Sequence, residues 1–236
     1  MMIRKRVLLL GLGLWVPLAA VAQTPSEILL KADEIRNPAQ SFQMMVEVSS
    51  SGSAQETSRF EVALKGNTRT LIRTLAPSRD KGRKLLMVEQ DMWAFLPSVS
   101  RPIRVSLAQR LTGQASNGDL SRLRWAGDYD AKVEREDAKS WTLFLTARRK
   151  GLTYEKIRAW IEKGTFKPIR AEYLSVSGMV MKRARYGGWR DMAGRERPTE
   201  IEIQDAIREQ DRSTIRILSM QAKNFPDSQF NPQGLK

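Results

Sequence analysis

From Phe42 onward, apolar residues recur at every second position in one short segment after another, and this alternation restricts the chain to a β architecture. Phe42, Met44, Val46 and Val48 alternate with Gln43 and Glu47, and Phe60, Val62 and Leu64 alternate with Glu61 and Lys65. Ser51-Gly52-Ser53 marks the turn between these two segments. Further segments run near 68–75, 83–89 and 91–96, then near 130–136, 140–148, 155–163, 167–175, 179–189, 196–204 and 213–223. Short strands repeating every ~8–12 residues, with turn residues between them, form an antiparallel barrel or sandwich.

Three stretches break this grammar. Thr24-Pro25-Ser26-Glu27 carries a helix cap, a proline at the first helical position and a T-x-x-E capping box; Ile28, Leu29, Ala32 and Ile35 then share one face until Asn37-Pro38. This predicts an amphipathic helix that lies on the sheet. Pro97 to Gly127 interrupts the strands: Ser106 to Leu111 has helical composition, Gly113 to Gly118 reads as a flexible connection, Asp119 or Ser121 could begin another short turn, and Leu107, Leu111, Leu120 and Leu123 offer an apolar face. The expectation is a lid packed over the sheet. Pro226 to Lys236, rich in Pro, Gln, Asn and Gly, reads as a loosely docked tail.

The first residues have the three parts of an export leader: basic Arg4-Lys5-Arg6, an apolar run from Val7 to Val21, and Ala20-Val21-Ala22 before Gln23. Cleavage after Ala22 leaves residues 23–236 as a single domain, exported to the periplasm and, with no cysteine to acylate, not lipidated. The formal charge of +14 over 236 residues falls by three when the leader is removed. On an exported protein such a basic surface meets anionic headgroups or an acidic partner rather than nucleic acid, or is no more than solvated strand faces that keep the chain soluble.

Candidate chemistry is sparse. The absence of both cysteine and histidine excludes Ser-His-Asp and Cys-His catalysis, zinc sites built on these ligands and thiol redox chemistry. Ser78-Arg79-Asp80-Lys81 fits an S-x-x-K pattern, but Pro77 and Gly82 flank it as a strand-to-strand turn, and no K-T-G follows. Asp128, Asp130, Glu134, Glu136 and Asp137 stand among Lys132, Arg135 and Lys139 and read as solvated ion pairs rather than a glycosidase pair or a cation loop. Lys182 to Arg190, basic with Tyr186 and Trp189, reads as a strand with a charged outer face at a sheet edge. No catalytic residue, metal site or cofactor is expected.

The apolar residues say more. Trp93 and Phe95 share one strand face, as do Trp141, Leu143 and Leu145, and so do Ile157, Ala159 and Ile161. Leu71, Leu75, Leu85, Met87, Phe144 and Trp160 show that several strands are apolar on both faces, which requires a core on one side and a cavity or second core on the other. Ten methionines suit a surface that fits variable apolar shapes.

Ser26-Glu27-Ile28-Leu29 in the helix, Trp93-Ala94-Phe95-Leu96-Pro97-Ser98 leading to Arg101-Pro102-Ile103-Arg104-Val105-Ser106, and Gly118-Asp119-Leu120 before Trp125-Ala126-Gly127-Asp128-Tyr129 together resemble the LolA-like outer-membrane lipoprotein-sorting proteins. The likeness spans most of the chain after the leader. It implies a mainly β fold with a few helices: an incomplete, strongly curved antiparallel barrel whose concave apolar face is covered by helices. It also implies a monomeric periplasmic carrier for the acyl chains of a lipoprotein or lipid, receiving cargo from an inner-membrane transporter and passing it to an outer-membrane acceptor. The alternative is a non-catalytic accessory module docked on an inner-membrane lipid or RND-type transporter. The residues expected to line the cavity are Met44, Val46, Phe60, Val62, Trp93, Phe95, Leu107, Leu111, Leu143, Leu145, Ile157 and Ile161.

Overall fold

In the computed structural model, which describes residues 23–38, 40–53 and 55–235, the expected helix α1 spans Pro25–Arg36. The capping box closes it: the Glu27 N–H donates to Thr24 Oγ1 at 3.3 Å and the Thr24 N–H donates to Glu27 Oε2 at 2.8 Å. Ile28, Leu29 and Ala32 are buried, and Asp33 is buried beside them. The export leader read at residues 1–22 lies outside the described residues.

The alternating segments become strands near the expected positions: β1 (Phe42–Ser51), β2 (Glu56–Lys65), β3 (Arg69–Ala76), β4 (Lys84–Val88), β5 (Asp91–Phe95) and β6 (Ile103–Val105). A short ribbon, β7 (Arg110–Thr112) and β8 (Ala115–Ser116), and helix α2 (Asn117–Ser121) follow. The strands resume with β9 (Tyr129–Glu136), β10 (Ser140–Ala147), β11 (Lys156–Glu162), β12 (Pro168–Leu174) and β13 (Val180–Gly187). A second ribbon, β14 (Arg190–Met192) and β15 (Arg195–Arg197), precedes β16 (Glu200–Asp205) and β17 (Arg212–Ala222).

Thirteen strands form one antiparallel sheet in the order β6-β5-β4-β3-β2-β1-β17-β16-β13-β12-β11-β10-β9. Its terminal strands, β6 and β9, do not pair with each other, so the sheet is curved but not closed, as expected. Irregular register at Met45/Val46, Arg59/Phe60, Thr142/Leu143, Trp160/Ile161 and Tyr173/Leu174 adds twist and bends the strands. The concave face carries the main core, in which Phe42, Met44, Val46, Phe60, Val62, Leu143, Leu145, Ile157 and Ile161 meet Leu107, Leu120 and Trp125.

Residues 106–127 lie across this face, but not as the sequence suggests. Ser106 Oγ accepts the Gln109 N–H at 3.1 Å and closes a single turn, so the stretch read as helical becomes a turn followed by β7. Gly113, at φ +56°, reverses the chain against β1 and β17; a Cβ there would stand 2.3 Å from Ser213 Oγ. The helix begins later, at Asn117, where the Ser116 N–H donates to Asp119 Oδ2 at 2.8 Å. The tail also departs from expectation. Phe225, Phe230 and Leu235 are buried on the opposite face of the sheet, over Ala63, Leu71 and Leu86. Lys65 and Arg69 both hold Asp227 at 2.6 Å.

Candidate functional site

The concave face and its covering segment enclose a cavity of about 70 Å³, several times the ~10–15 Å³ needed to hold one water. Met44 and Val46 of β1, Ile201 and Ile203 of β16, and Ile215 and Ile217 of β17 form one wall. Leu120, Leu123 and Trp125 of the cover form the other.

All four tyrosines of the chain line this cavity. Tyr154 and Tyr173 stack with ring centroids 3.9 Å apart, the Tyr173 and Tyr186 hydroxyls are 3.4 Å apart, and Trp125 meets Tyr186 edge-on at 6.4 Å. The Tyr129 hydroxyl donates to the Tyr154 carbonyl at 2.8 Å, and the Tyr154 hydroxyl donates to Asp119 at 3.0 Å. Burial pushes all four phenols above their ordinary pKa.

The polar groups around this apolar chamber are almost all committed. Asp33 accepts the Trp125 N–H at 2.8 Å and the Ala126 N–H at 2.6 Å, and pairs with Arg36. Arg36 donates to the Leu123 carbonyl at 2.7 Å and lies 3.6 Å from the Trp125 ring centroid. The last turn of α1 thereby clamps the cover at Leu123, Trp125 and Ala126. Arg122 pairs with the buried Asp128, which also receives Arg149 at 2.7 Å. Lys182 donates to the Gln114 carbonyl at 2.6 Å and to Ser116 Oγ at 3.0 Å; burial lowers its pKa. Burial raises that of Asp119, against Lys182, the Ser116 N–H and the Tyr154 hydroxyl, which lower it. Gly118 brings α2 against the β10–β11 connection, where a Cβ would stand 1.8 Å from Thr153 Oγ1.

Three of the carboxylates singled out in the sequence form exposed ion pairs, with partners from outside the run, whereas Asp128 is paired but buried and Asp137 accepts the Lys139 and Ser140 N–H groups at 2.8 Å. Asp130 pairs with Arg148, Glu134 with Arg158 and Glu136 with Lys163. Ser78–Asp80 is a 3-10 turn between β3 and β4. Among the described residues no group of three or more acidic side chains is placed to hold a metal. Lys182 to Arg190 departs from the expected sheet edge: β13 lies inside the sheet between β12 and β16, and its inner face brings Tyr186 to the cavity.

Of the twelve residues expected to line a cavity, Met44 and Val46 do so. Phe60, Val62, Leu107, Leu143, Leu145, Ile157 and Ile161 are buried in the concave core outside the lining, and Leu111 is half-buried against it. Trp93 and Phe95 are corrected: they face the other side of the sheet and pack with the tail, because Met92 and Ala94 take the concave positions of β5. Alternation separates two faces without saying which one is concave. The tyrosines, Trp125 and the isoleucines of β16 and β17 escaped the sequence reading; the one available signal was the Trp125–Tyr129 stretch.

A family model described only as "uncharacterized protein" matches residues 66–236. No curated protein matches the sequence. Among solved structures, a LolA superfamily protein from Nitrosomonas europaea is 38% identical, covering 89% of this chain and 98% of its own, with a TM-score of 0.85. A DUF1329 family protein from Desulfovibrio piger is 22% identical, covering 90% of this chain and 98% of its own, with a TM-score of 0.76. A Vibrio parahaemolyticus domain ascribed to outer membrane lipoprotein sorting is 16% identical, covering 89% and 97%, with a TM-score of 0.72; these last two show the shared fold. With its open curved sheet, covered concave face and close relative, the chain belongs to the LolA superfamily.

Proposed function

We propose that this chain is a non-enzymatic periplasmic carrier that shields the acyl chains of a lipoprotein or lipid in the cavity and delivers them toward the outer membrane. The observation that carries this reading is the cavity itself: an apolar, aromatic chamber under a covering segment, with its buried carboxylates engaged in ion pairs and backbone hydrogen bonds. Each methylene moved from water into such a chamber contributes about 0.8 kcal/mol, so a chain is held without a specific polar contact. At about 70 Å³ the closed cavity admits only a short stretch of chain, so loading requires residues 117–127 to lift from the sheet. An inner-membrane transporter would supply the cargo and an outer-membrane acceptor receive it.

The alternative, an accessory module docked on a transporter, is favoured by one exposed patch. Val176 and Met179 at the β12–β13 turn stand near Met181 and Ile207, where the Ala206 N–H donates to the Met181 carbonyl. Arg183 and Arg208 flank them. One experiment separates the readings: solvent extraction of protein purified from its host without detergent, with mass spectrometry of the extract. The carrier reading expects near-stoichiometric acylated species, and a shift in tryptophan emission when they are removed and restored. Empty protein that also fails to bind an apolar fluorescent dye sinks the carrier and leaves the docking module.

A further inference from the structure

Every cationic side chain in the cavity wall but one has a counter-group. Arg36 has Asp33, and Arg122 has Asp128. Arg124 lines the same cavity; its Nε, like that of Arg36, is buried without an acceptor, but among the described residues no carboxylate pairs with the Arg124 guanidinium, and this sets it apart. A cation beside an apolar chamber with a buried, unsatisfied donor is an unfavourable arrangement that an anionic acceptor would relieve. Arg124 also lines a smaller niche with Asn37, Asn67 and Ser121, and Asn67 and Gly66 open this niche to solvent. Arg124 thus borders both the apolar chamber and a mixed niche, lined also by Phe42, Leu64 and Leu123, that reaches solvent. An arginine fork there matches the planar oxygens of a carboxylate or phosphate.

We propose that Arg124 is the headgroup site of this carrier, so that the cargo is an anionic amphiphile whose chain fills the cavity while its phosphate or carboxylate binds Arg124. The proposal rests on the carrier reading and adds a class of cargo and a direction: chain inward, charge at the niche. A carrier relying on the chamber alone would treat charged and neutral amphiphiles of equal chain length alike. This one discriminates between them at a single residue. Arg36 and Arg122 do not substitute, because their charges are already balanced within the protein.

The test measures displacement of an apolar fluorescent dye from delipidated protein by dodecyl phosphate, dodecanoate and dodecanol, at low and high salt. Wild type is expected to bind at least one of the two anions about tenfold more tightly than the alcohol, as a charge-assisted hydrogen bond implies. Arg124→Met keeps the length and apolar stem of the side chain; it should bring both anions to the level of dodecanol and leave dodecanol unchanged. Arg124→Lys should keep part of the preference. The tighter of the two anions identifies a phosphate or a carboxylate headgroup as the source. Inorganic phosphate, having no chain, should leave the dye bound, and displacement by it would overturn the amphiphile. Melting curves confirm that the variants are folded. Equal binding of anion and alcohol by wild type, or a preference that survives in Arg124→Met, overturns this proposal alone. Failure of all three amphiphiles to displace bound dye overturns the carrier reading and the headgroup site with it.

Discussion

Asp33 holds the cover to the helix, and its surroundings are those of a buried, fully used carboxylate. Fully buried, it accepts two backbone N–H groups of the cover and faces a guanidinium that is itself nearly buried. Removing it strands that charge and leaves two donors unsatisfied, so Asp33→Ala is expected to cost about 3–5 kcal/mol. Asp33→Asn, which keeps an acceptor oxygen, should cost less. Urea unfolding measures both, and a loss under 1 kcal/mol for the alanine variant would show that the cover is held elsewhere. The sequence shows Ile28, Leu29, Ala32 and Ile35 as the apolar stripe of α1, of which Ile35 is only half-buried, and Asp33 at its border reads as an ordinary solvated charge. Its partners, Trp125 and Ala126, are far along the chain and announce nothing at Asp33.

At the scale of elements, alternation was legible and the choice of face was not. The strand segments, the first hairpin and the capped helix follow from local pattern, because each is settled by neighbours within a few residues. Strands β3, β4 and β5 are apolar on both sides, and what distinguishes the sides is a tail that arrives at the end of the chain. Its composition suggested looseness, while three buried anchors, Phe225, Phe230 and Leu235, decide its position. Phe230→Ala is therefore expected to cost about 3 kcal/mol, as for a buried phenylalanine truncation. Phe95→Leu should likewise lower the melting temperature. Neither should alter dye binding in the cavity, and a change in dye affinity with either variant would refute the separation of the two faces. The covering helix was misplaced for a related reason: Ser106 and Ser116 are both good caps, and only the second is followed by an acidic residue three positions on.

Across the whole molecule, the site exists because the sheet order assembles it. Tyr129 begins β9, Tyr154 precedes β11, Tyr173 lies in β12 and Tyr186 in β13, and no spacing in the sequence relates them to Trp125. Their shared burial makes a prediction for stability. Unfolded phenols ionise near pH 10, the value from which all four are raised. Above that pH the folded state binds more protons than the unfolded state, so this group contributes no loss below pH 10 and stability falls as pH rises beyond it. Phenolate absorbance should rise in one step with the loss of near-ultraviolet circular dichroism; gradual ionisation near pH 10 in folded protein would contradict the burial described. The order of the sheet also has a mechanical consequence. Its two free edges, β6 and β9, are successive strands of this sheet along the chain, and the segment joining them, which holds β7, β8 and α2, crosses the hollow between them. The molecule is strung like a bow, with the sheet as its limb. The string carries a reserve of length, since residues wound into α2 advance ~1.5 Å each and the same residues drawn out advance ~3.3 Å. Drawing out this string would let the hollow widen with every rung of the limb intact.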